Sequence, residues 1–205
     1  MQAQLTATTT LDEETARAEV YGLLAALFYA APTTELHGKL RVAVTEAPAA
    51  GALLESSWGE LVASARALSL PEIRSEYDAL FGGVGKPEIY LFGSHYLSGF
   101  LNEKPLAALR TDLAELGLAR DEAMSETEDH VAYLCEIMRY LIAGENAEVA
   151  NLTRQHAFFS HHVQPWFQPM CETVMQHPKA CFYRTVAAFT QAFVSIESQG
   201  FDMLD

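Results

Sequence analysis

Five carboxylates and a histidine crowd into the segment Asp121–His130, and no Lys or Arg follows until Arg139. Glu126 and His130 are four residues apart, so on a helix they would share a face, where the carboxylate would favour the imidazolium. Carboxylates can grip a guanidinium through two hydrogen bonds, so this segment suits an arginine-bearing peptide. A second interpretation is structural. Ser125-Glu-Thr-Glu128 would start a helix there, with its acids complementing the positive end of the helix dipole.

Other chemistries have weaker signatures in this sequence. The Gly82–Lys86 stretch is not a phosphate-binding loop, because Leu80 stands at the first glycine position and Pro87 follows the lysine. No glutamate is followed by histidine three residues later, so the paired ligands of a di-iron helix bundle are missing and no metal is expected. There is also no GxSxG nucleophile elbow. An enzyme using Glu126 and His130 as acid and base stays open as an alternative.

The composition predicts a folded chain with an acidic surface. Of the 205 residues, 50% are hydrophobic and 20% charged, which is typical of one globular domain with a real core. The net charge is −14 and no basic stripe is present, so nucleic acid is a poor partner and a cationic peptide a better one. The same charge also agrees with the simpler interpretation that it keeps the protein soluble.

The cysteines and apolar runs indicate the cytoplasm. The three cysteines form no CxxC pair, which argues for reduced thiols and against a zinc site or a disulfide framework. The first ten residues lack the basic and apolar regions of a secretory signal. The longest apolar run, Val20–Ala31, is too short to cross a bilayer, so no stable membrane insertion is expected.

Helical periodicity dominates the chain. Ser69-Leu-Pro-Glu72 reads as a capping box that opens one helix, and Val131, Leu134, Cys135, Met138 and Leu141 form the apolar face of another. The long irregular stretch, 82–93, is rich in glycine and predicts a flexible loop. We therefore expect an all-α fold of roughly eight to nine helices in a single domain, residues 1–205.

Four motifs, in order along the chain, give the sequence a resemblance to a known family. Glu126-Thr-Glu-Asp-His130 resembles the E-P-x-D-H signature of the TorD/DmsD/NarJ chaperones, which assist the maturation of molybdoenzymes. The other three motifs also resemble family segments: Tyr77-Asp-Ala-Leu-Phe81, Ser94-His-Tyr96 and His162-Val-Gln-Pro-Trp166. Two departures are present, since Thr127 replaces the signature proline and Leu91-Phe92-Gly93 stands where members often have Pro-aromatic-Glu.

The resemblance implies a TorD-like helical fold, no catalytic residues and a peptide-binding function. The partners would be an apo-molybdoenzyme catalytic subunit and its N-terminal signal peptide, commonly of the twin-arginine type. Binding would assist molybdenum cofactor insertion and prevent premature export. The implied peptide-binding residues are Tyr77, Leu80, Phe81, Phe92, Ser94, Tyr96, Glu126, Asp129 and His130.

The resemblance also leaves several points open. They are transient contact with the molybdenum cofactor or a guanine nucleotide, and a monomeric or domain-swapped dimeric state. Each aromatic residue in the implied site also fits a core position. A permanent assembly subunit of a redox complex is a further alternative.

Overall fold

Helices provide the regular structure of this protein. The computed structural model describes residues 2–45, 53–82, 86–121 and 125–203, with side chains from residue 13 onward. Within those ranges it contains no strand, only an isolated β-bridge between Phe92 and His130, and the all-α prediction is confirmed. The helices are α1 Gln2–Tyr29, α2 Thr34–Val42, α3 Glu55–Ala67, α4 Leu70–Leu80, α5 Gly93–Ser98, α6 Lys104–Glu115, α7 Val131–Ala143, α8 Leu152–Phe158, the π-helix Phe159–Val163, α9 Gln164–Gln176 and α10 Phe182–Asp202.

The chain forms two compact units, each made of two separate stretches. The first, here called the α7 unit, comprises Met1–Phe28 and Phe92–Pro165. The second, the α10 unit, comprises Tyr29–Leu91 and Trp166–Asp205. Among the described residues, none of the helices combines the length and apolar character that crossing a membrane requires. The expectation of a single domain stays a prediction.

The core of the α7 unit is organised by α7. Its predicted apolar stripe, from Val131 to Leu141, is at most 1% exposed, as expected for residues that recur every three or four positions on one helix face. α7 packs on α8 and the π-helix, and α6 packs on α5. On α1, Gly22 leaves room for Arg139, whose Cδ would lie 3.1 Å from a β-carbon placed there. α7 is therefore held on several sides.

The α10 unit is built around α10, which packs on α3 and α4. The capping box predicted at Ser69 and Glu72 is present at the start of α4. The first turn of α10 has a cap that local sequence does not supply. The carboxylate of Glu76 accepts hydrogen bonds from the amides of Cys181, Phe182 and Tyr183 at 2.8, 2.9 and 2.8 Å. A side chain from α4 thus satisfies three amides that a helix start would leave unpaired.

Residues 83–85 of the predicted loop 82–93 lie outside the described residues. The part that follows them is anchored within the α10 unit as far as Leu91. Ile89 and Leu91 are 2% and 3% exposed, and the amide of Ile89 donates to the carbonyl of Leu80 at 2.9 Å. Glu88 accepts a hydrogen bond from Lys179 at 2.7 Å. Flexibility of this stretch stays a prediction for its remaining residues.

Candidate functional site

The acidic segment before α7 is not the first turn of a helix. α7 begins at Val131, with His130 as its N-cap, so Glu126, Glu128 and Asp129 precede the helix. The prediction that Glu126 and His130 lie one turn apart on a helix is therefore wrong. The physical reason is that Asp129 and His130 are engaged elsewhere, in contacts that an early helix start would break.

Asp129 anchors the start of α5. One carboxylate oxygen, Oδ2, accepts hydrogen bonds from the amide and the hydroxyl of Ser94 at 2.9 and 2.5 Å. The other oxygen, Oδ1, accepts from the hydroxyl of Thr127 at 2.6 Å, so the residue that replaces the signature proline adds a donor. The Asp129 carbonyl also accepts from the amide of Gly93 at 2.9 Å. With Asp129 3% exposed and Ser94 fully buried, this carboxylate has internal partners on both oxygens.

His130 is a buried, uncharged cap. Its Nδ1 accepts a hydrogen bond from the amide of Ala132 at 3.2 Å, which leaves the ring proton on Nε2. Burial lowers the pKa of His130 to about 4, more than the nearby charge of Asp129 raises it. The expectation that a carboxylate would hold this ring as an imidazolium is therefore wrong. The ring also meets Phe92 edge-on, with centroids 5.0 Å apart.

Glu128 has a partner that sequence reasoning missed. The Arg110 guanidinium on α6 donates from Nε and an Nη atom to the two carboxylate oxygens of Glu128 at 3.0 and 2.9 Å. Burial raises the pKa of Glu128, but the hydrogen bonds and charge of Arg110, with the charge of Arg120, outweigh it and leave that pKa below its ordinary value. Arg110 is 18 residues from Glu128, a separation that no local motif shows. This two-point contact fixes the acidic segment on α6.

The remaining predicted residues of the α7 unit differ in exposure. Phe92 lies in the β-bridge with His130 and is half-buried, as is Tyr96 on α5. Glu126 is also half-buried, in the bend before Glu128. Because Asp129, His130 and Glu128 have internal partners, Glu126 is the most accessible carboxylate of the five-residue signature.

The three other predicted residues belong to the α10 unit. Leu80 is fully buried and is assigned to the core. Tyr77 and Phe81 are half-buried, and each meets the ring of Tyr183, with centroids 5.6 and 5.0 Å apart. The hydroxyl of Tyr77 donates to the carbonyl of Tyr29 at 2.9 Å. The core position given as an alternative for the aromatic residues thus describes Tyr77 and Phe81 in part.

The fourth motif has a structural role. His162 lies on the π-helix, and its Nε2 is 2.6 Å from Oδ2 of Asp112 on α6. Burial lowers the pKa of His162, and the hydrogen bond and charge of Asp112 oppose that shift. Trp166 is 1% exposed, as a core residue would be. Within the described part of the chain, no group of three His, Cys, Asp or Glu side chains is placed to hold a metal ion.

The geometry disfavours acid–base catalysis by Glu126 and His130. A general base works best with a pKa near the operating pH, whereas the pKa of His130 is about 4. Its Nδ1 already accepts the Ala132 amide, and the ring is 5% exposed. His130 therefore serves as the N-cap of α7, and its accepting ring nitrogen is not free for catalysis.

Comparison with known proteins agrees with the four motifs. The chain is 26% identical to the chaperone protein TorD of Vibrio parahaemolyticus over 136 residues, which cover 62% of this chain and 63% of the relative. It is 25% identical to the chaperone protein TorD of Vibrio cholerae over 140 residues, 65% of this chain and 64% of the relative. The chain thus matches a little less than two thirds of the length of these relatives. Residues 47–172, more than half of the chain, match the family described as nitrate reductase delta subunit. The chain belongs to this family, which is the TorD/NarJ family that its motifs predict.

Proposed function

We propose that this protein is a cytoplasmic maturation chaperone without catalytic activity of its own. It binds the apo form of a molybdoenzyme catalytic subunit and that subunit's N-terminal signal peptide. By holding the client, it assists insertion of the molybdenum cofactor, which is the client's cargo, and prevents premature export. The observation that carries this proposal is the family match over residues 47–172, and the relatives named as TorD chaperones support it.

The geometry supports a specific distribution of roles in the acidic segment. Asp129 has internal partners on both carboxylate oxygens, so its contribution to peptide binding is to hold the start of α5 and to add long-range negative charge. Glu126 is the carboxylate that meets an arginine of the peptide, because it is the more exposed of the two. A guanidinium held by a carboxylate at a partly exposed position forms a contact that salt weakens.

Two half-buried aromatic residues at the start of α5 would receive the rest of the peptide. Phe92 is the N-cap of α5 and Tyr96 lies on it, and the Asp129 carboxylate holds this helix start through Ser94. Partly exposed aromatic rings in the same unit as an accessible carboxylate suit a ligand in which a basic pair precedes an apolar stretch. Tyr77 and Phe81 stay predicted contacts for the same peptide.

A binding measurement with a synthetic peptide tests this proposal. The peptide carries two adjacent arginines followed by a leucine-rich stretch, and its Kd is measured by calorimetry at low and high salt. We expect Glu126→Gln to weaken binding by about three- to tenfold at low salt and to flatten the salt dependence, because one ion pair is lost. Glu145→Gln, which removes the same charge from an exposed site elsewhere in the α7 unit, should change the Kd little.

Two results would contradict the proposal. A parent protein that fails to bind the peptide at low salt has no signal-peptide function of this kind. Equal Kd values for Glu126→Gln and Glu145→Gln would remove the assigned role of Glu126.

Two further experiments identify the client and the oligomeric state. Affinity purification from the native host, with mass spectrometry of the retained protein, identifies the client, and size-exclusion chromatography separates the monomeric from the dimeric state. A client that never dissociates would instead favour a permanent assembly subunit.

A further inference from the structure

An apolar pocket of about 190 Å³ opens between α6 and α7, within the α7 unit. Its walls include Leu113 and Leu118 on one side and Tyr133, Ile137 and Tyr140 of α7 on the other. Of the residues that line the pocket, Glu128 alone belongs to a motif that predicted a peptide site. The apolar walls are therefore a feature that the sequence resemblance does not explain.

α7 is unusual in having apolar residues on two faces. One face, from Val131 to Leu141, is the buried core stripe. The second carries Tyr133, Ile137 and Tyr140, spaced four and three residues apart, so all three lie along one side of the helix. Tyr140 is 40% exposed. Surface helices normally present polar residues on the face opposite the core, so a second apolar stripe beside a pocket indicates a partner.

The net charge of the protein favours a cationic partner. The chain carries a net charge of −14, so its long-range field attracts a basic peptide and repels an acidic one. At the pocket itself the charged lining residues are Glu128, Glu136 and Arg120.

Of the two carboxylates that line the pocket, Glu136 is the one that an incoming cation can reach more readily. Its ion pair with Arg139 is 3.1 Å long, and both side chains are about half exposed, 49% and 52%. Exposed ion pairs three residues apart on a helix contribute little to stability, so Glu136 can pair with a cation of the peptide in place of Arg139 at little cost in free energy. Glu128, in contrast, is held by the two-point contact with Arg110.

We propose that this pocket binds an apolar side chain of the client's signal peptide, with a basic residue of the same peptide pairing with Glu136. The proposal rests on the proposed chaperone function and adds a second point of contact to it. Two residues of chain span at most about 7 Å, so Glu126 lies close to the pocket-lining Glu128 along the backbone. A peptide whose arginine meets Glu126 therefore has the pocket within reach of its following residues.

Two substitutions close or open the pocket without touching the core. Ala119→Trp adds an indole at an exposed residue of the pocket rim, and Tyr140→Ser removes a partly exposed wall. Ala114→Trp, at an exposed position of α6 that does not line the pocket, is the matched control. The probes are the arginine–leucine peptide and a twin in which serine replaces each leucine. Unchanged circular dichroism and unfolding midpoints establish that each variant is folded.

The expected signature separates apolar from ionic contacts. Ala119→Trp and Tyr140→Ser should each weaken binding of the leucine peptide, Ala119→Trp by about tenfold, at both salt concentrations, because burial of one apolar side chain is lost. The slope of log Kd against log salt should stay the same, in contrast to Glu126→Gln. The serine twin should bind the parent and both variants equally.

The outcomes distinguish this proposal from the one on which it rests. If the parent binds the leucine peptide and both pocket variants bind it as Ala114→Trp does, the pocket is not a subsite, while the chaperone function stands. If the parent binds neither peptide, the signal-peptide function fails and the subsite fails with it.

Discussion

Replacement of Asp129 by alanine should destabilise the α7 unit, because the carboxylate is the partner of two fully buried groups. The amide and hydroxyl of Ser94 both donate to Oδ2, and Ser94 is 0% exposed. A buried donor that loses its partner costs about 1–3 kcal/mol. The hydroxyl of Thr127 is half-buried and can turn to water, so it adds little. Asp129→Ala should therefore lower the free energy of unfolding by about 3 kcal/mol. For Asp129→Asn, which keeps one acceptor oxygen, the decrease is about 1 kcal/mol.

Urea unfolding followed by circular dichroism measures the global change, and hydrogen exchange of the α5 amides, residues 93–98, measures the local one. A double-mutant cycle with Ser94→Ala should give a coupling energy of at least about 1 kcal/mol, since the two side chains share one hydrogen bond. If Asp129→Ala unfolds within about 0.5 kcal/mol of the parent and leaves α5 equally protected, the anchor assignment is refuted. Asp129 would then be available as a direct ligand for the peptide's arginine.

Two further perturbations test the other contacts. The pKa of His130 is about 4 in the folded protein and about 6.5 in the unfolded chain. The neutral ring therefore stabilises the fold fully above pH 6.5. This stabilisation, up to roughly 3 kcal/mol, is lost as the pH falls from 6.5 to 4. His130→Asn keeps a side chain that can cap α7 but does not titrate, so the unfolding free energy of this variant should depend less on pH over that range. Identical dependence of the unfolding free energy on pH for the parent and the variant would rule out the role of neutral His130. Glu76→Ala should lower the stability of the α10 unit by about 2 kcal/mol, since three amides of the first α10 turn lose their acceptor. Thermal unfolding compared with Glu60→Ala, at an exposed position of α3, checks this, and equal midpoints would contradict it.

Helix type and core stripes were predictable because they depend on residues close together in sequence. The apolar face of α7 and the capping box at Ser69 and Glu72 are both as predicted. The start of α7 was not predictable. The acids from Glu126 to Asp129 resemble a first helical turn, and only the partners of Asp129 explain why the helix begins as late as Val131. The family was accessible from four short motifs, and the comparisons confirm it.

The roles inside the candidate site depended on tertiary structure. Asp129 meets Ser94 across 35 residues, Arg110 meets Glu128 across 18, and Glu76 caps an amide 105 residues away. Sequence by itself determined that five acids and a histidine, Asp121–His130, lie next to the helix that carries the apolar stripe Val131–Leu141. Whether a carboxylate is buried among internal donors or left accessible is decided by which helix ends pack together. Hydrogen-bond partners and burial arise from that packing, and helical periodicity carries no information about either.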